Sequence, residues 1–287
     1  MPFSQSAVNL FHECETKFVL MQEGWRKGEP TVGKGRVAAS MGSAFHAAAA
    51  VYHIHRMNGT KHNVDDLHSI AVEFYETWKA SVLNLVWDDK AYGEEADYAV
   101  VFRKMIEAYI KTETLTKMYE IVAVEETFPE KFGSSTPDLI LKDRHGLVCV
   151  DIKTRRYSSD YYKRRDIADF PGTTQMLLYT LAIQELHGET CDRCILALVP
   201  RNKRPKPEFH TSYIDTRYRD GVWWAAMQQT WKDMHASLDG ERTPKMSPVH
   251  RTNFGACPFI SACMNHCLNR ETMPEEYRRV DTGTYGD

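Results

Sequence analysis

Apolar residues recur along this chain with two different periods. In the first 118 residues most of them stand three and four positions apart, as on one face of a helix. After residue 119 short runs of β-branched and apolar residues alternate with turn signals, as in strands. The predicted helices cover residues 4–22, 42–57, 65–86, 94–118, about 171–187 and 218–238. The predicted strands cover residues 120–129, 137–142, 147–154, 195–200 and 209–214. The pattern therefore predicts an α/β protein whose sheet follows a helical region.

Two of these strands are predicted to form a β-hairpin, because the turn-forming residues 143–146 separate residues 137–142 from residues 147–154. If Lys142 pairs with Leu147 across the turn, every further pair along the hairpin is fixed. The register then determines which side chains share a face of the sheet.

Continuing this register places Asp138 opposite Asp151, with Cβ atoms roughly 5 Å apart on one face. Lys153 lies on the same face by the two-residue period of a strand. Two facing carboxylates repel each other unless a cation separates them, and Mg²⁺ suits carboxylate oxygens while keeping positions for water and phosphate. The alternative is a strand-start Asp138 and a solvated Asp151–Lys153 pair. The residues on the other face are predicted to enter a core: Leu139, Leu141, Val148, Val150 and Ile152.

Two neighbouring segments contribute polar side chains to the same region. Glu125 and Glu126 end the strand before the hairpin, and alternation allows at most one of them to face a site built by its neighbours. Gln175 and Tyr179 are four residues apart on the predicted helix and share a face.

Composition excludes several classes of protein. The 287 residues include 36 Lys and Arg against 39 Asp and Glu, for a formal charge of −3. A surface for nucleic acid must therefore be local. Because the sequence lacks a membrane-length apolar run and a signal-peptide pattern, we expect a cytoplasmic protein without membrane contact.

Positive charge is concentrated in a few segments. Residues 24–40 are predicted to be a mobile basic connection, residues 155–169 a loop rich in Tyr and Arg, and residues 201–206 a basic loop after a buried strand. These segments suit phosphate contacts, and they equally suit plain solvation.

The seven cysteines are unlike a disulfide framework in a reducing compartment. Cys191 and Cys194 form a single CxxC that runs into a strand, which favours a structural role. Cys257, Cys263 and Cys267 lie within eleven residues, which indicates a metal or iron–sulfur site.

The motifs together resemble the RecB-like branch of the PD-(D/E)XK nucleases, which includes CRISPR-associated and phage exonucleases with a four-cysteine iron–sulfur cluster. The resemblance covers nearly the whole chain and depends on the order and spacing of its motifs. They are Cys14 on an N-terminal helix, Gly42-x-x-x-His46, Pro137-Asp138, Asp151-Ile152-Lys153, Gln175-x-x-x-Tyr179 and the C-terminal cysteines.

The resemblance implies a role for each matching residue. His46, Asp138 and Asp151 would bind Mg²⁺ or Mn²⁺, with the carbonyl of Ile152 as a further ligand. Lys153 would position the attacking water, and Gln175 and Tyr179 would orient DNA and the lysine.

A 4Fe-4S cluster would be held by four cysteines, with Zn²⁺ as the alternative. The family pattern is not fully kept, since Phe254 stands where one cysteine is expected and Cys267 would take its place. The cluster would join the two ends of the chain. The four cysteines are Cys14, Cys257, Cys263 and Cys267.

The resemblance implies a PD-(D/E)XK core, a central mixed β-sheet flanked by helices, with a helical insertion and a cluster-stapled region of the two chain ends. We expect one nuclease domain over residues 1–287. Its parts are residues 1–41 (N-terminal helix and basic connection), 42–119 (helical subdomain), 120–240 (nuclease core) and 241–287 (cysteine cluster and tail).

The expected function is a metal-dependent DNA exonuclease acting on single-stranded ends in recombination, repair or phage DNA processing, with a recombination or helicase protein as a further partner. Hydrolysis of a phosphodiester needs charge neutralisation and a nucleophile near neutral pH, which Asp138, Asp151 and Lys153 with a metal ion can supply. The alternatives are a catalytically idle DNA-binding scaffold subunit and a restriction-type endonuclease.

Overall fold

We describe the protein from a computed structural model, over residues 3–27, 34–81, 97–133, 135–155, 159–245, 251–252, 255–256, 259 and 277–279. The chain forms two compact units. One contains Thr31–Phe128 and Ser135–Arg219, and the other contains Met1–Pro30, Pro129–Ser134 and Asp220–Asp287.

The first unit is built on a five-stranded mixed sheet of β2 to β6, arranged in chain order. All neighbouring strands are antiparallel except β4 and β5, which are parallel. The mixed sheet of the expected α/β fold is thereby confirmed. The strands are β2 (Glu120–Val124), β3 (Leu139–Asp143), β4 (Gly146–Arg155), β5 (Cys191–Pro200) and β6 (Glu208–Tyr213).

The hairpin of β3 and β4 has the predicted register, since Lys142 pairs with Leu147. The last pair is Leu139 with Val150, so Asp138 lies just outside the ladder. Gly146 closes the turn with φ of 121°, and a Cβ atom there would stand 2.6 Å from a neighbouring carbonyl oxygen. Only glycine meets both conditions at this turn.

Three helices cover one face of the sheet and bury its apolar side chains, including all five core residues predicted for the hairpin. They are α3 (Lys34–Met57), α4 (Val64–Ala80) and α5 (Tyr98–Thr112), and the short α6 (Leu115–Met118) follows them.

Helix α3 begins at Lys34, so the prediction of a mobile connection up to residue 40 is wrong for its last part. Val37 and Met41 are fully buried and continue the helical period of Ala44 and Phe45 upstream. Because packing outweighs the poor helix propensity of glycine, the helix does not start at residue 42. Ser43 is an interior residue whose hydroxyl donates to the carbonyl of Ala39, so it does not cap the helix.

Two helices follow the hairpin. Helix α7 (Asp160–Asp169) replaces most of the loop predicted at residues 155–169, and none of its residues is buried. The absence of an apolar face explains why periodicity did not predict it. Helix α8 (Thr174–His187) ends at the predicted residue. The Thr173 side chain caps its start by accepting from the Met176 N–H, and the helix packs on β4 and β5.

The second unit contains two N-terminal helices, α1 (Gln5–Glu13) and α2 (Glu15–Gln22), where the sequence predicted one. The extended backbone of Cys14, with φ of −166°, separates them. Ser4 caps α1, with its side-chain oxygen accepting from the Ala7 N–H. A π-helical turn (Tyr218–Trp223) leads into α9 (Trp224–Leu238). The remaining strands are β1 (Trp25–Lys27), β7 (Arg251–Thr252), β8 (Gly255–Ala256) and β9 (Tyr277–Arg279), with β1 pairing β9 and β7 pairing β8.

Helices of the length and apolarity that a bilayer crossing requires are absent from the described residues.

Candidate active site

Asp138 connects helix α3 to the edge of the hairpin. Its Oδ1 lies 2.7 Å from Nδ1 of His46, and its Oδ2 accepts from the Ile152 N–H at 2.5 Å. His46 stands in the middle of α3, not in the first turn of a helix as the sequence predicted. Burial lowers the pKa of His46, but the nearby Asp138 and Asp151 carboxylates outweigh it and leave this pKa raised. The imidazole and Asp138 therefore form a polar pair held by two different elements.

Asp151 is buried, with a side chain only 3% exposed, so the face it occupies is not the exposed one that an Asp-x-Lys strand motif suggests. Its Oδ1 accepts from Lys153 Nζ at 3.0 Å and from Gln175 Nε2 at 3.1 Å. Its Oδ2 is buried and has no hydrogen-bond donor within the described part of the chain. Burial raises the pKa of Asp151 to about 6, with Lys153 opposing the rise and Asp138 adding to it.

Helix α8 supplies the cover over this carboxylate. Gln175 accepts from Lys153 Nζ at 3.1 Å and donates to the hydroxyl of Tyr179 at 3.0 Å. Tyr179 in turn donates to the carbonyl of Thr136, also at 3.0 Å. Burial raises the pKa of Tyr179, so its hydroxyl stays protonated and remains a donor. The chain of bonds fixes the positions of Lys153 and Asp151 relative to the segment that carries Asp138.

Glu125 is the residue that sequence reasoning did not assign. It follows β2 in a left-handed conformation with φ of 49°, and its N–H donates to the carbonyl of Asp138. Its side chain lines the same groove as His46 and Lys153. Burial and then the Asp138 charge raise the pKa of Glu125.

The neighbouring Glu126 pairs with His187 on α8. Alternation indicated that only one of the two glutamates could face the site. Glu125 is the one that faces the site, because the register of β2 shifts between Ile121 and Ala123 and the backbone turns after the strand. Neither feature can be recognised from the periodicity of the sequence.

A groove of about 640 Å³ opens beside these residues. One wall comes from helix α3 and consists mainly of small side chains: Ala38, Ala39, Gly42, Ser43, His46 and Ala47. The other lining residues come from α4, the end of β2, β4 and the end of β5: Phe74, Glu125, Ile152, Lys153, Thr154 and Arg201.

The donor set fits a hard divalent cation. The described residues contain no preformed group of three His, Cys, Asp or Glu side chains in ligating positions. However, the buried Oδ2 of Asp151 has no donor among the described residues. The Asp138 carboxylate also contributes to raising the pKa values of both Asp151 and His46. A cation can replace the proton that His46 and Asp138 share, because metal ligands bind in deprotonated form. The role of the Ile152 carbonyl stays a prediction, since the described contact of this residue is made by its N–H.

The predicted cysteine site lies mostly outside the described residues. Cys14 is partly exposed and free, whereas Cys257, Cys263 and Cys267 fall outside the described ranges. Cys191 and Cys194 are buried in strand β5, and the structural interpretation of this CxxC stays a prediction.

Several of the basic residues predicted to contact DNA make ion pairs within the protein. Arg155 pairs with Asp166, Lys163 with Glu208, and Lys203 with Asp97. The positive charge of these segments is therefore partly neutralised, and less of it is available for DNA than the sequence indicated.

No protein of curated function matches the chain. A solved structure from Eubacterium rectale, named as a candidate exonuclease, aligns over 95% of this chain and 90% of its own, with a TM-score of 0.48 and 13% sequence identity. The family model of the PD-(D/E)XK nuclease superfamily matches residues 2–264. The chain, with Asp138, Asp151 and Lys153 gathered at one site, belongs to the PD-(D/E)XK nuclease superfamily.

Proposed function

We propose that the protein is a metal-dependent DNA exonuclease that hydrolyses phosphodiester bonds at single-stranded ends. The observation that carries the proposal is the buried Asp151, which holds one oxygen with Lys153 and Gln175 and keeps the other without a donor among the described residues. A buried carboxylate oxygen without a partner is costly to the fold, so its retention points to a ligand.

The metal site would be formed by His46, Asp138 and Asp151, with the Ile152 carbonyl as a further ligand. When bound, Mg²⁺ or Mn²⁺ would supply positive charge for the scissile phosphate and acidify a water molecule. The residue types agree with this choice, because both ions prefer carboxylate and water oxygens and keep sites open for phosphate.

Lys153 is placed to orient the attacking water and to offset negative charge on the phosphate. Its ammonium group lies 3.0 Å from Asp151 Oδ1 and 3.1 Å from Gln175 Oε1, which leaves its third proton for a ligand. Gln175 and Tyr179 act through Lys153 and Asp151, since they fix these groups without lining the groove themselves.

The single-strand preference is supported by the size of the groove. A volume of about 640 Å³ is that of a pocket for one small ligand, and Lys153 and Arg201 supply positive charge along it. Phosphate contacts at these cations and at the exposed Arg164 and Arg165 of helix α7 would hold the strand even though the formal charge of the chain is −3.

The direct test uses end-labelled linear and covalently closed circular single strands of the same sequence, with Mg²⁺, Mn²⁺ or chelator. An exonuclease releases mononucleotides or short products from the linear strand only, and only with metal. Cleavage of the circle would identify an endonuclease instead. Binding without any cleavage would support a DNA-binding scaffold.

We further propose that Cys14, Cys257, Cys263 and Cys267 hold a 4Fe-4S cluster with a structural role. The free, partly exposed thiol of Cys14 at the break between α1 and α2 supports this, because the extended backbone there leaves the side chain outside both helices. Anaerobic purification should yield about four irons per chain and a brown colour that Cys263→Ser removes. Stoichiometric zinc without visible absorbance would support Zn²⁺ in its place.

A further inference from the structure

The groove beside the metal site carries one aromatic side chain that the proposed chemistry does not use. Phe74 on α4 lines the groove and is 44% exposed. Leu67, Ala71 and Tyr75 on the same helix are buried. The ring contacts of α4 run through Tyr75, which lies against Tyr98 and Phe102. Phe74 therefore presents a large apolar ring to the groove and not to the core.

The side chains that helix α3 contributes to the wall of this groove are mostly small. Ala38, Ala39 and Ala47 end at Cβ, and Gly42 has no side chain at all. A Cβ atom at position 42 would stand 2.8 Å from the hydroxyl oxygen of Thr154, so no larger residue fits there without displacement. The groove that Phe74 lines therefore has one wall of mainly small side chains, which leaves room in it for a flat ligand.

Positive charge lies in the same groove. Lys153 comes from β4, and Arg201 comes from the end of β5, where its guanidinium donates to the carbonyl of Ala38 on the groove wall. This bond holds the arginine at the groove. An apolar ring beside two cations is the combination with which proteins bind an unpaired nucleotide, because the ring stacks on the base and the cations contact phosphates.

We propose that Phe74 stacks on an unpaired base next to the scissile phosphate and thereby makes the groove a single-strand subsite. The inference rests on the proposed nuclease function and specifies its substrate. A paired duplex keeps its base faces stacked inside the helix, so it offers no face to Phe74. Selection for single strands then comes from one side chain and the groove around it.

The test is a binding cycle that needs no cleavage. Phe74→Ala, Phe74→Leu and Phe74→Trp are made in an Asp151→Asn background, and binding is measured in chelator by fluorescence anisotropy. The probes are a labelled single strand and a strand of equal length made entirely of abasic nucleotides. Met118→Ala serves as the control, since Met118 is 67% exposed and does not line the groove.

Loss of a base–aromatic stack should weaken binding of the normal strand by roughly 5- to 150-fold in Phe74→Ala. Phe74→Leu should lose most of the same affinity, because leucine keeps apolar volume without a ring. Phe74→Trp should retain affinity and show quenched tryptophan fluorescence on binding. The abasic strand should bind the Phe74→Ala protein and the Phe74 parent equally.

Equal weakening for both strands would show a structural effect and overturn the proposal. So would an unchanged affinity in Phe74→Ala, or a parent protein that does not bind the normal strand. The outcome is separable from the nuclease proposal. If wild type cleaves DNA but the Phe74 substitutions do not change strand binding, the subsite alone is refuted. If wild type does not cleave DNA but the Phe74 substitutions change binding as expected, the nuclease function alone is refuted.

Discussion

The two ends of the β3–β4 hairpin carry the same type of side chain in opposite electrostatic settings. At the turn, Asp143 accepts hydrogen bonds from two nitrogens of Arg193 at 2.6 and 2.7 Å. The Arg193 guanidinium holds the pKa of Asp143 far below its usual range. At the open end, burial raises the pKa of Asp151 to about 6, and its Oδ2 has no donor among the described residues.

This difference distinguishes a structural carboxylate from one prepared for a ligand. Arg193 satisfies both oxygens of Asp143, so the charge is stabilised by the fold itself. Asp151 is stabilised by Lys153 and Gln175 on one oxygen only. Burial of a carboxylate oxygen without a donor destabilises the fold at the open end, and no such destabilisation arises at the turn. Functional sites commonly differ from the rest of a protein in this way.

The largest effect is expected on catalysis at the open end. Asp151→Asn and Lys153→Met should each lower nuclease activity by about 100- to 1000-fold or more, because each removes a charge that acts on the phosphate or the metal. Steady-state cleavage of a labelled linear single strand measures this loss.

Thermal unfolding provides the control for that experiment. Asp151→Asn should unfold at the same or a higher temperature than the metal-free wild type, since it removes a buried charge. Activity within a few-fold of wild type in either variant would exclude the proposed site.

A smaller loss is expected for the residues that position this pair. Tyr179→Phe removes the donor to the Thr136 carbonyl, and Gln175→Ala removes the contacts to Asp151 and Lys153. Substitution of such supporting residues typically costs about 10- to 100-fold in activity or metal affinity. The rate should fall more than the substrate affinity in both variants. An increase in KM with an unchanged kcat would instead assign these residues to DNA binding.

At the turn the expected effect is on stability and not on activity. Asp143→Asn should lower the free energy of unfolding by about 1–3 kcal/mol, because Arg193 would then lack its carboxylate partner. Urea unfolding of Asp143→Asn and Arg193→Met measures the loss, and the double variant shows whether the two effects are coupled. Loss of cleavage in a folded Asp143→Asn protein would contradict the division between the two ends.

The smallest expected effect concerns pH: Asp151 and Asp143 should make the free energy of unfolding depend on pH in opposite directions. The pKa of Asp151 is higher in the folded protein, about 6, than the usual value near 4, so the folded state binds more protons between these values. The stability of the metal-free protein should therefore fall as pH rises through this window, by at most about 1.4 kcal/mol per pH unit. The raised pKa of His46 extends the fall to higher pH.

Asp143 has the opposite sign. Its pKa is lower in the folded protein, so its stabilising contribution is present above pH 4 and is lost as pH falls below it. Thermal melting in chelator between pH 3 and 7 should show a smaller fall above pH 4 in Asp151→Asn and a smaller loss at acidic pH in Asp143→Asn. Identical profiles for wild type and Asp151→Asn would show that this carboxyl is not perturbed.

Much of the sheet was predictable because hairpins obey local rules. Turn residues and alternation correctly placed Lys142 opposite Leu147, and the same alternation put Asp151 and Lys153 on one face. The burial of that face was not predictable, because it depends on helix α8 returning over β4. The spacing of Gln175 and Tyr179 indicated that they share a face of that helix. The structure shows that this face covers Asp151 and Lys153.

The parts that escaped prediction depend on tertiary packing or on special backbone conformations. Helix α3 extends back to Lys34 because Val37 and Met41 enter the core. The extended Cys14 divides a segment whose apolar spacing suggested one helix. Glu125 reaches the groove through a left-handed turn after a bulged strand, and neither feature has a periodic signal.

The most direct test of the account is Mn²⁺ binding by electron paramagnetic resonance in wild type, Asp151→Asn and Asp143→Asn. Each variant removes one carboxylate, at opposite ends of the same hairpin, so the two variants have the same formal charge. We predict that wild type and Asp143→Asn bind Mn²⁺ with equal affinity and that Asp151→Asn binds it at least about tenfold more weakly. Equal affinity in all three proteins, or no binding by wild type, would contradict the assignment of Asp151 to a metal site.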